Sequence, residues 1–230
     1  MALTCQKLER VISSPTSSIG VAAVTVETPT STMTTTSMAA LASQICDQIS
    51  SVFSQPTTHP PLSVIVDELS AASSRKGRVF VHGVGREGLM LKALCMRLFH
   101  LGLRAHCVGD MTTPHISSND LLIASAGPGG FATVDAICGI AKSSGARVLL
   151  LTAHPESSSA AKLASAIAYI PAQTMADDEG ETSGGAVALL PMGSVYEGAM
   201  FVLFEMVVFK LTEILGQSPE AVRARHTNLE

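Results

Sequence analysis

The chain has 230 residues, of which 47% are hydrophobic and 15% charged, and its formal net charge is -4. Because an average domain is about one quarter charged, we expect part of its apolar surface to be buried between subunits. The negative charge and an aromatic content of 4% argue against a nucleic-acid partner. No uncharged apolar run reaches the roughly 18 residues of a membrane span, so no membrane partner is expected.

Residues 1–37 are rich in Ser and Thr and poor in charge, which predicts a disordered or transit-like leader. A plastid or mitochondrial transit peptide and an unprocessed tail both fit this composition. The cysteines show neither CxxC pairs nor zinc spacing, which indicates reduced thiols and no metal site. We therefore predict an intracellular, cytoplasmic protein, with plastid targeting by the leader as the alternative.

Residues 38–230 are predicted to form the folded domain. It starts with two amphipathic helices, over Ser37 to Phe53 and Leu62 to Ser73, with the helix-breaking SQPTTHPP between them. We expect these helices to lead into a sheet or to pack against a partner subunit.

Short apolar segments then alternate with helical ones. The predicted strands are 78–82, 104–109, 120–127, 146–153 and 166–171. Helices are predicted after the glycine turn at 83–88, over Phe131 to Ser144 and, briefly, over Ser157 to Ala164. This alternation predicts an α/β fold, a three-layer α-β-α sandwich around a five-stranded parallel sheet.

The last third of the chain is predicted to contain an acidic loop and a long helix. The loop runs from Thr174 to Gly185, and the helix from Ser194 to Leu215 is apolar nearly all round. Such a helix is buried, and we expect it to form a subunit interface in a homodimer or homotetramer. A short terminal helix is predicted to begin at Ser218-Pro219.

The glycine turn GVGREG after the first strand allows two interpretations. It fits G-x-G-x-x-G, and Asp110 follows about twenty residues later, so a dinucleotide-binding Rossmann oxidoreductase is one hypothesis. However, the sheet has no second mononucleotide-binding half, and the third strand also ends in a glycine turn. These features favour a site for another anionic ligand at the carboxyl edge of the sheet.

Several segments in their order resemble the sugar isomerase (SIS) domain family. They are RVFVHGVGREG, MRLFHLG, VGDMTTP, NDLLIASAGPGG, GARVLLLTAHPES and PMGSVYE. The ending RARHTNLE is similar to that of the 6-phospho-3-hexuloisomerase branch. The resemblance implies a flavodoxin-like sheet that binds a phosphorylated sugar or related carbohydrate derivative, and an isomerase that moves a carbonyl through an enediol without cofactor or metal.

The resemblance also implies site residues. Glu197 matches the family's catalytic glutamate, and a partly desolvated carboxylate suits proton transfer next to a carbonyl. His226 matches a C-terminal histidine that in relatives can reach a neighbouring subunit's site. The substrate-binding residues that we predict are Gly85, Arg86, Thr112, Thr113, Ser125, Gly127, Gly129 and Thr133.

The chain departs from the family pattern at the phosphate loop. Ala126, Pro128 and Phe131 stand where relatives carry hydroxyl side chains, and Glu87 stands where they carry a serine. We expect the Glu87 carboxylate to repel a phosphate at the start of its helix. A non-catalytic SIS-type module that binds a sugar derivative therefore remains an alternative to the isomerase.

Overall fold

The computed structural model of the protein describes residues 37–177 and 189–229. The predicted leader, apart from Ser37, and most of the predicted acidic loop lie outside these ranges. The helices are α1 (Met38–Val52), α2 (Pro61–Ser74), α3 (Gly85–His100), α4 (Ala132–Ser143), α5 (Ser194–Ile214) and α6 (Pro219–Ala224). The strands are β1 (Val79–His82), β2 (Ala105–Cys107), β3 (Leu121–Ser125), β4 (Arg147–Thr152) and β5 (Ala166–Tyr169).

The five strands form one parallel sheet in the order β2-β1-β3-β4-β5. This is the flavodoxin-like order, so the predicted fold class is confirmed. All five residues of β3 are buried, as its central position and continuous apolar sequence require. The crossovers bring the loops after β1, β3 and β4 to one edge of the sheet.

Helices cover both faces of the sheet. On one face α2, α3 and α5 pack over the strands through residues such as Ile65, Leu91 and Leu203. On the other face α4 packs through Val134 and Cys138 against Phe80 and neighbouring strand residues. Helices α2, α3 and α4 thus bury the apolar stripes that their sequences predict, and the arrangement fixes where the helix N-termini point.

One detail differs from the sequence prediction. The short helix predicted over Ser157 to Ala164 is a single 3₁₀ turn, Ala160–Leu163, which packs on the same side as α4. Helix α5 is only partly buried within its own chain, since Phe201 is 55% and Phe209 is 63% exposed, and its burial in a subunit interface stays a prediction. None of the helices in the two described ranges combines the length and apolarity of a membrane span.

Candidate functional site

The candidate site lies at the carboxyl edge of the sheet, where α3, α4 and α5 all begin. Gly85 opens α3 with a φ of +58°, which suits a residue without Cβ, and the chain then presents Arg86. The turn after β3 leads into α4, with Gly129 at a φ of +108°. Gly193, at a φ of +79°, opens α5 and places Glu197 in its first turn.

Arg86 and Glu197 form an ion pair across this edge. Arg86 Nη2 lies 3.0 Å from Glu197 Oε2. The same guanidinium donates hydrogen bonds to Ser194 Oγ, at 2.9 Å, and to the carbonyl of Met192. The α3 turn is therefore tied to the turn before α5, and the Glu197 carboxylate lies beside the 83–88 bend.

The Glu197 carboxylate is poised to accept a proton. Its side chain is 16% exposed, and among the described residues no group gives Oε2 a well-directed hydrogen bond, although the cation of Arg86 is close. Burial raises the pKa of Glu197, the Arg86 guanidinium lowers it, and the nearby Glu87 carboxylate raises it again. A partly buried carboxyl group of increased basicity suits a general base.

Glu87 lies in the first turn of α3, where we expected it to repel a phosphate, and this stays a prediction. Its carboxylate is 6% exposed and turns into the protein. Oε2 accepts hydrogen bonds from Ser125 Oγ, at 2.5 Å, and from the Gly127 N–H, at 3.0 Å. Burial raises the pKa of Glu87, while these two hydrogen bonds oppose the increase.

Ser125 and Gly127 are consequently not open ligand contacts. Ser125 is fully buried, and its hydroxyl lies 3.3 Å from the Tyr196 hydroxyl. The Gly127 N–H is taken by Glu87, and a Cβ at Gly127 would lie 2.8 Å from the Tyr196 ring. Both residues hold the turn after β3 against α3 and α5, so their predicted role in contacting substrate is corrected to a structural one.

The rest of the turn after β3 keeps groups that a ligand could use. Helix α4 begins at Phe131 without a side-chain cap, so its first N–H groups are available to a ligand or water. Thr133 is exposed in the first turn of α4. Gly129 donates its own N–H to Ala126 and packs beside Ser157 and His154, so it shapes the turn.

The threonines after β2 separate into different environments. Thr112 is exposed. Thr113 donates a hydrogen bond to the carbonyl of Cys107, at 2.6 Å, and lines a small apolar cavity with Ile116 and Ile137. Its hydroxyl hydrogen thus satisfies the last carbonyl of β2, and the contact of Thr112 and Thr113 with substrate stays a prediction.

His226 does not join Glu197 within one chain. Its ring stacks on that of His100, with centroids 5.2 Å apart, and Arg225 donates to the carbonyl of His100. Arg86 and His100 lie at opposite ends of α3, whose 16 residues span roughly 24 Å at about 1.5 Å each. The C-terminal segment therefore docks at the end of α3 remote from the candidate site.

Two polar groups near this edge were not predicted as site residues. Tyr196, directly before Glu197 in the segment PMGSVYE, is fully buried beside Ser125. His154 Nε2 lies 3.2 Å from Thr174 Oγ1 and 3.3 Å from Asp177. Burial alone would raise the pKa of Asp177, but hydrogen bonds from Thr174 and the neighbouring His154 lower it.

Within the described ranges, no three His, Cys, Asp or Glu side chains could hold a metal ion.

Comparisons with known proteins assign the chain to a family. No family model matches the chain. A 3-hexulose-6-phosphate isomerase of Mycobacterium gastri is 40% identical over 154 residues, which are 67% of this chain and 74% of the relative. The chain belongs to the SIS family, in the branch of these isomerases. A 3-hexulose-6-phosphate isomerase of Bacillus subtilis (strain 168) is 34% identical over 164 residues, which are 71% of this chain and 86% of the relative.

A solved structure agrees with this assignment at the level of the fold. A Methanococcus jannaschii protein, for which its crystal structure infers a 3-hexulose-6-phosphate isomerase function, superimposes with a TM-score of 0.67. The match covers 82% of this SIS chain and 98% of the other, at 23% identity. The resemblance that was predicted from the motifs is thus confirmed, and the dinucleotide-binding hypothesis is not favoured.

Proposed function

We propose that this SIS protein is a sugar-phosphate isomerase that acts on a phosphorylated ketose, with 3-hexulose 6-phosphate as the substrate to test. Its relatives of this name support the reaction class. The observation that carries the proposal is the Glu197 carboxylate, which lies half-buried beside Arg86 where the glycine turn meets α5. An apolar setting increases the basicity of a carboxylate, as proton abstraction from carbon requires.

The reaction would proceed by proton transfer between adjacent carbons. Glu197 removes the proton from the carbon next to the carbonyl, and the C–H electrons form the double bond of an enediol. The protonated Glu197 then returns the proton to the former carbonyl carbon, while a hydroxyl proton passes between the two oxygens. Arg86, the cation beside Glu197, is positioned to stabilise negative charge that develops on those oxygens.

The start of α4 is the proposed phosphate position. Helices α1 and α6 are capped by Ser37 and Ser218, whereas α3, α4 and α5 begin at the candidate site without side-chain caps. Each of these helices has an acid in its first turn: Glu87 in α3, Asp135 in α4 and Glu197 in α5. In α4 the Asp135 carboxylate accepts a hydrogen bond from Ser159 Oγ, at 2.6 Å, and the Thr133 hydroxyl is exposed beside the N-terminal N–H groups, so we place the phosphate there.

The proposal includes association of the SIS chains along α5. Phe201, Phe209 and Ile214 are each more than half exposed on this helix, and burial of apolar side chains stabilises association. In a homodimer or homotetramer, the C-terminal segment of one chain could then place His226 at the site of another to assist proton transfer. A cytoplasmic or plastid location remains a prediction from composition.

The test is a coupled assay of 3-hexulose 6-phosphate conversion to the 2-ketose. Glu197→Gln should reduce kcat by about 10²–10⁴ fold, the usual contribution of a general base. Glu213→Gln is a matched control because it lies on the same helix, 60% exposed, near Lys210. It should keep the wild-type rate.

Ligand-dependent melting temperatures separate the alternatives, because a ligand that binds the native state raises the melting temperature. Sugar phosphates that stabilise the protein without turnover would contradict the isomerase and indicate a non-catalytic binding module. Stabilisation by NAD or NADP alone would indicate an oxidoreductase. Full activity in Glu197→Gln would remove that residue from the mechanism.

A further inference from the structure

We propose that Glu87 is a positioning residue of this site, which fixes the turn after β3 and holds a negative charge behind Glu197. The inference rests on the proposed function, because it assigns a role in the same proton transfer. Glu87 would touch no substrate. Its effects would pass through the turn at 125–130 and through Glu197.

One carboxylate oxygen of Glu87 links α3 to the end of β3 and to the turn that follows it. Glu87 Oε2, on α3, accepts hydrogen bonds from Ser125 Oγ at the end of β3 and from the Gly127 N–H in the following turn. Ser125 Oγ in turn lies 3.3 Å from the Tyr196 hydroxyl on α5. A buried carboxylate bound by directed donors is costly to displace, so this contact fixes α3, the turn and α5 relative to one another.

Backbone hydrogen bonds also hold the turn, from the N–H groups of Ala126, Gly129 and Ala153 to the carbonyls of Leu151, Ala126 and Gly127. Its side chains add little, because Ala126 and Phe131 carry no hydrogen-bonding group. Gly127 packs closely against Tyr196, and a Cβ there would also lie 3.0 Å from Glu87 Oε1. Because the N–H groups of α4 follow directly, the contact between Glu87 and Gly127 contributes to the position of the proposed phosphate site.

Glu87 also acts on Glu197 through its charge. The Glu197 carboxylate is paired with Arg86 and lies close enough to Glu87 to be affected by its charge, and the Tyr196 phenol is affected by both carboxylates. Burial raises the pKa of Glu197 first, Arg86 lowers it, and Glu87 raises it. Burial also raises the pKa of Tyr196, with further contributions from the two carboxylates, so the phenol stays neutral.

The remaining titratable groups on adjacent elements do not replace this charge. His82, at the end of β1, has its pKa lowered by burial, so it is neutral at physiological pH. On the segment that follows β5, Asp177 is paired with His154. Among the described residues, Glu87 is therefore the anion that increases the proton affinity of Glu197.

The experiment uses Glu87→Gln, which retains the shape of the side chain and one acceptor oxygen. The acidic limb of the kcat/KM profile should move to lower pH by about 0.5–1 pH unit, as expected when a like charge partly offset by a cation is removed. Ser125→Ala removes a hydrogen bond that favours the ionised Glu87, so it should move the limb in the same direction. Glu213→Gln should not move it.

A second measurement does not depend on activity. Carbon-13 NMR titration of the Glu197 carboxyl group in the full chain, assigned with Glu197→Gln, should give a lower pKa in Glu87→Gln than in the wild type. If the wild type fails to turn over sugar phosphates but this pKa falls, the proposed reaction is wrong, whereas the effect of Glu87 on the proton affinity of Glu197 is supported. If the wild type is active and both folded variants leave the limb and the Glu197 titration unchanged, the inference is overturned.

Discussion

Asp120 provides a stability prediction whose magnitude follows from the structure. Its carboxylate, 2% exposed just before β3, accepts hydrogen bonds from the backbone N–H and guanidinium of Arg78. The N–H and hydroxyl of Ser117 donate to it as well, each at 2.8 Å. Asp120→Asn replaces one acceptor oxygen by an NH₂ group, which would face the donors of Arg78 and Ser117.

The size of the effect can be derived from the shift of the carboxyl pKa. Burial alone would raise the pKa of Asp120, but the hydrogen bonds from Arg78 and Ser117 lower it from 3.8 to about 2. At 1.36 kcal/mol per pKa unit, this difference corresponds to about 2.4 kcal/mol of stability. Because the folded-state pKa is depressed, this stability is present above pH 3.8 and is lost as the pH falls towards 2.

Urea denaturation of both proteins at several pH values measures this contribution. At pH 7 the wild type should exceed Asp120→Asn by about 2–3 kcal/mol in the free energy of unfolding. Roughly half of the part that depends on ionisation should be gone at pH 3. Since Asp120 lies at the sheet edge opposite the candidate site, kcat should not change at pH 7. A difference in stability that is equal at pH 7 and pH 3, or below about 0.5 kcal/mol, would refute this reasoning.

Two further substitutions test the site. Gly127→Ala should lower the free energy of unfolding by about 1–3 kcal/mol, because its Cβ would overlap the buried Tyr196 ring. Gly139→Ala, in an open position of α4, should instead stabilise by about 0.5–1 kcal/mol in the same urea titration; equal losses in both variants would contradict the packing argument. Arg86→Met removes the cation that lowers the pKa of Glu197, so the acidic limb of kcat/KM should move to higher pH. If the acidic limb of kcat/KM in Arg86→Met moves to lower pH or stays in place, Arg86 does not lower the pKa of Glu197.

The fold could be predicted because each strand is a short apolar run between glycine turns and helical segments. Val79–His82 and Leu121–Ser125 lie in the strands predicted for them. The proximity of Arg86 and Glu197 was also predictable, since helices that follow parallel strands begin at a common edge. Sequence pattern and sheet geometry are sufficient for these features because they depend on the backbone more than on side-chain directions.

Side-chain directions limited the prediction of the site. A glutamate in the first turn of a helix can face solvent or turn inward, and the donors that bind Glu87 lie about forty residues away, at Ser125 and Gly127. The position of His226 depends on how α6 returns to the end of α3, where Arg225 binds the carbonyl of His100. Neither contact has a periodic signal in the sequence, because both join segments distant along the chain.

Helix α5 carries Glu197 in its first turn and the exposed Phe201 and Phe209 further along. One helix therefore joins the candidate site to the face that is proposed to associate. If association rotates or shifts α5, the Glu197 carboxylate moves with it, and ligand binding at the site then affects association with the same coupling free energy. Substrate affinity and self-association should therefore be measured together, across a dilution series.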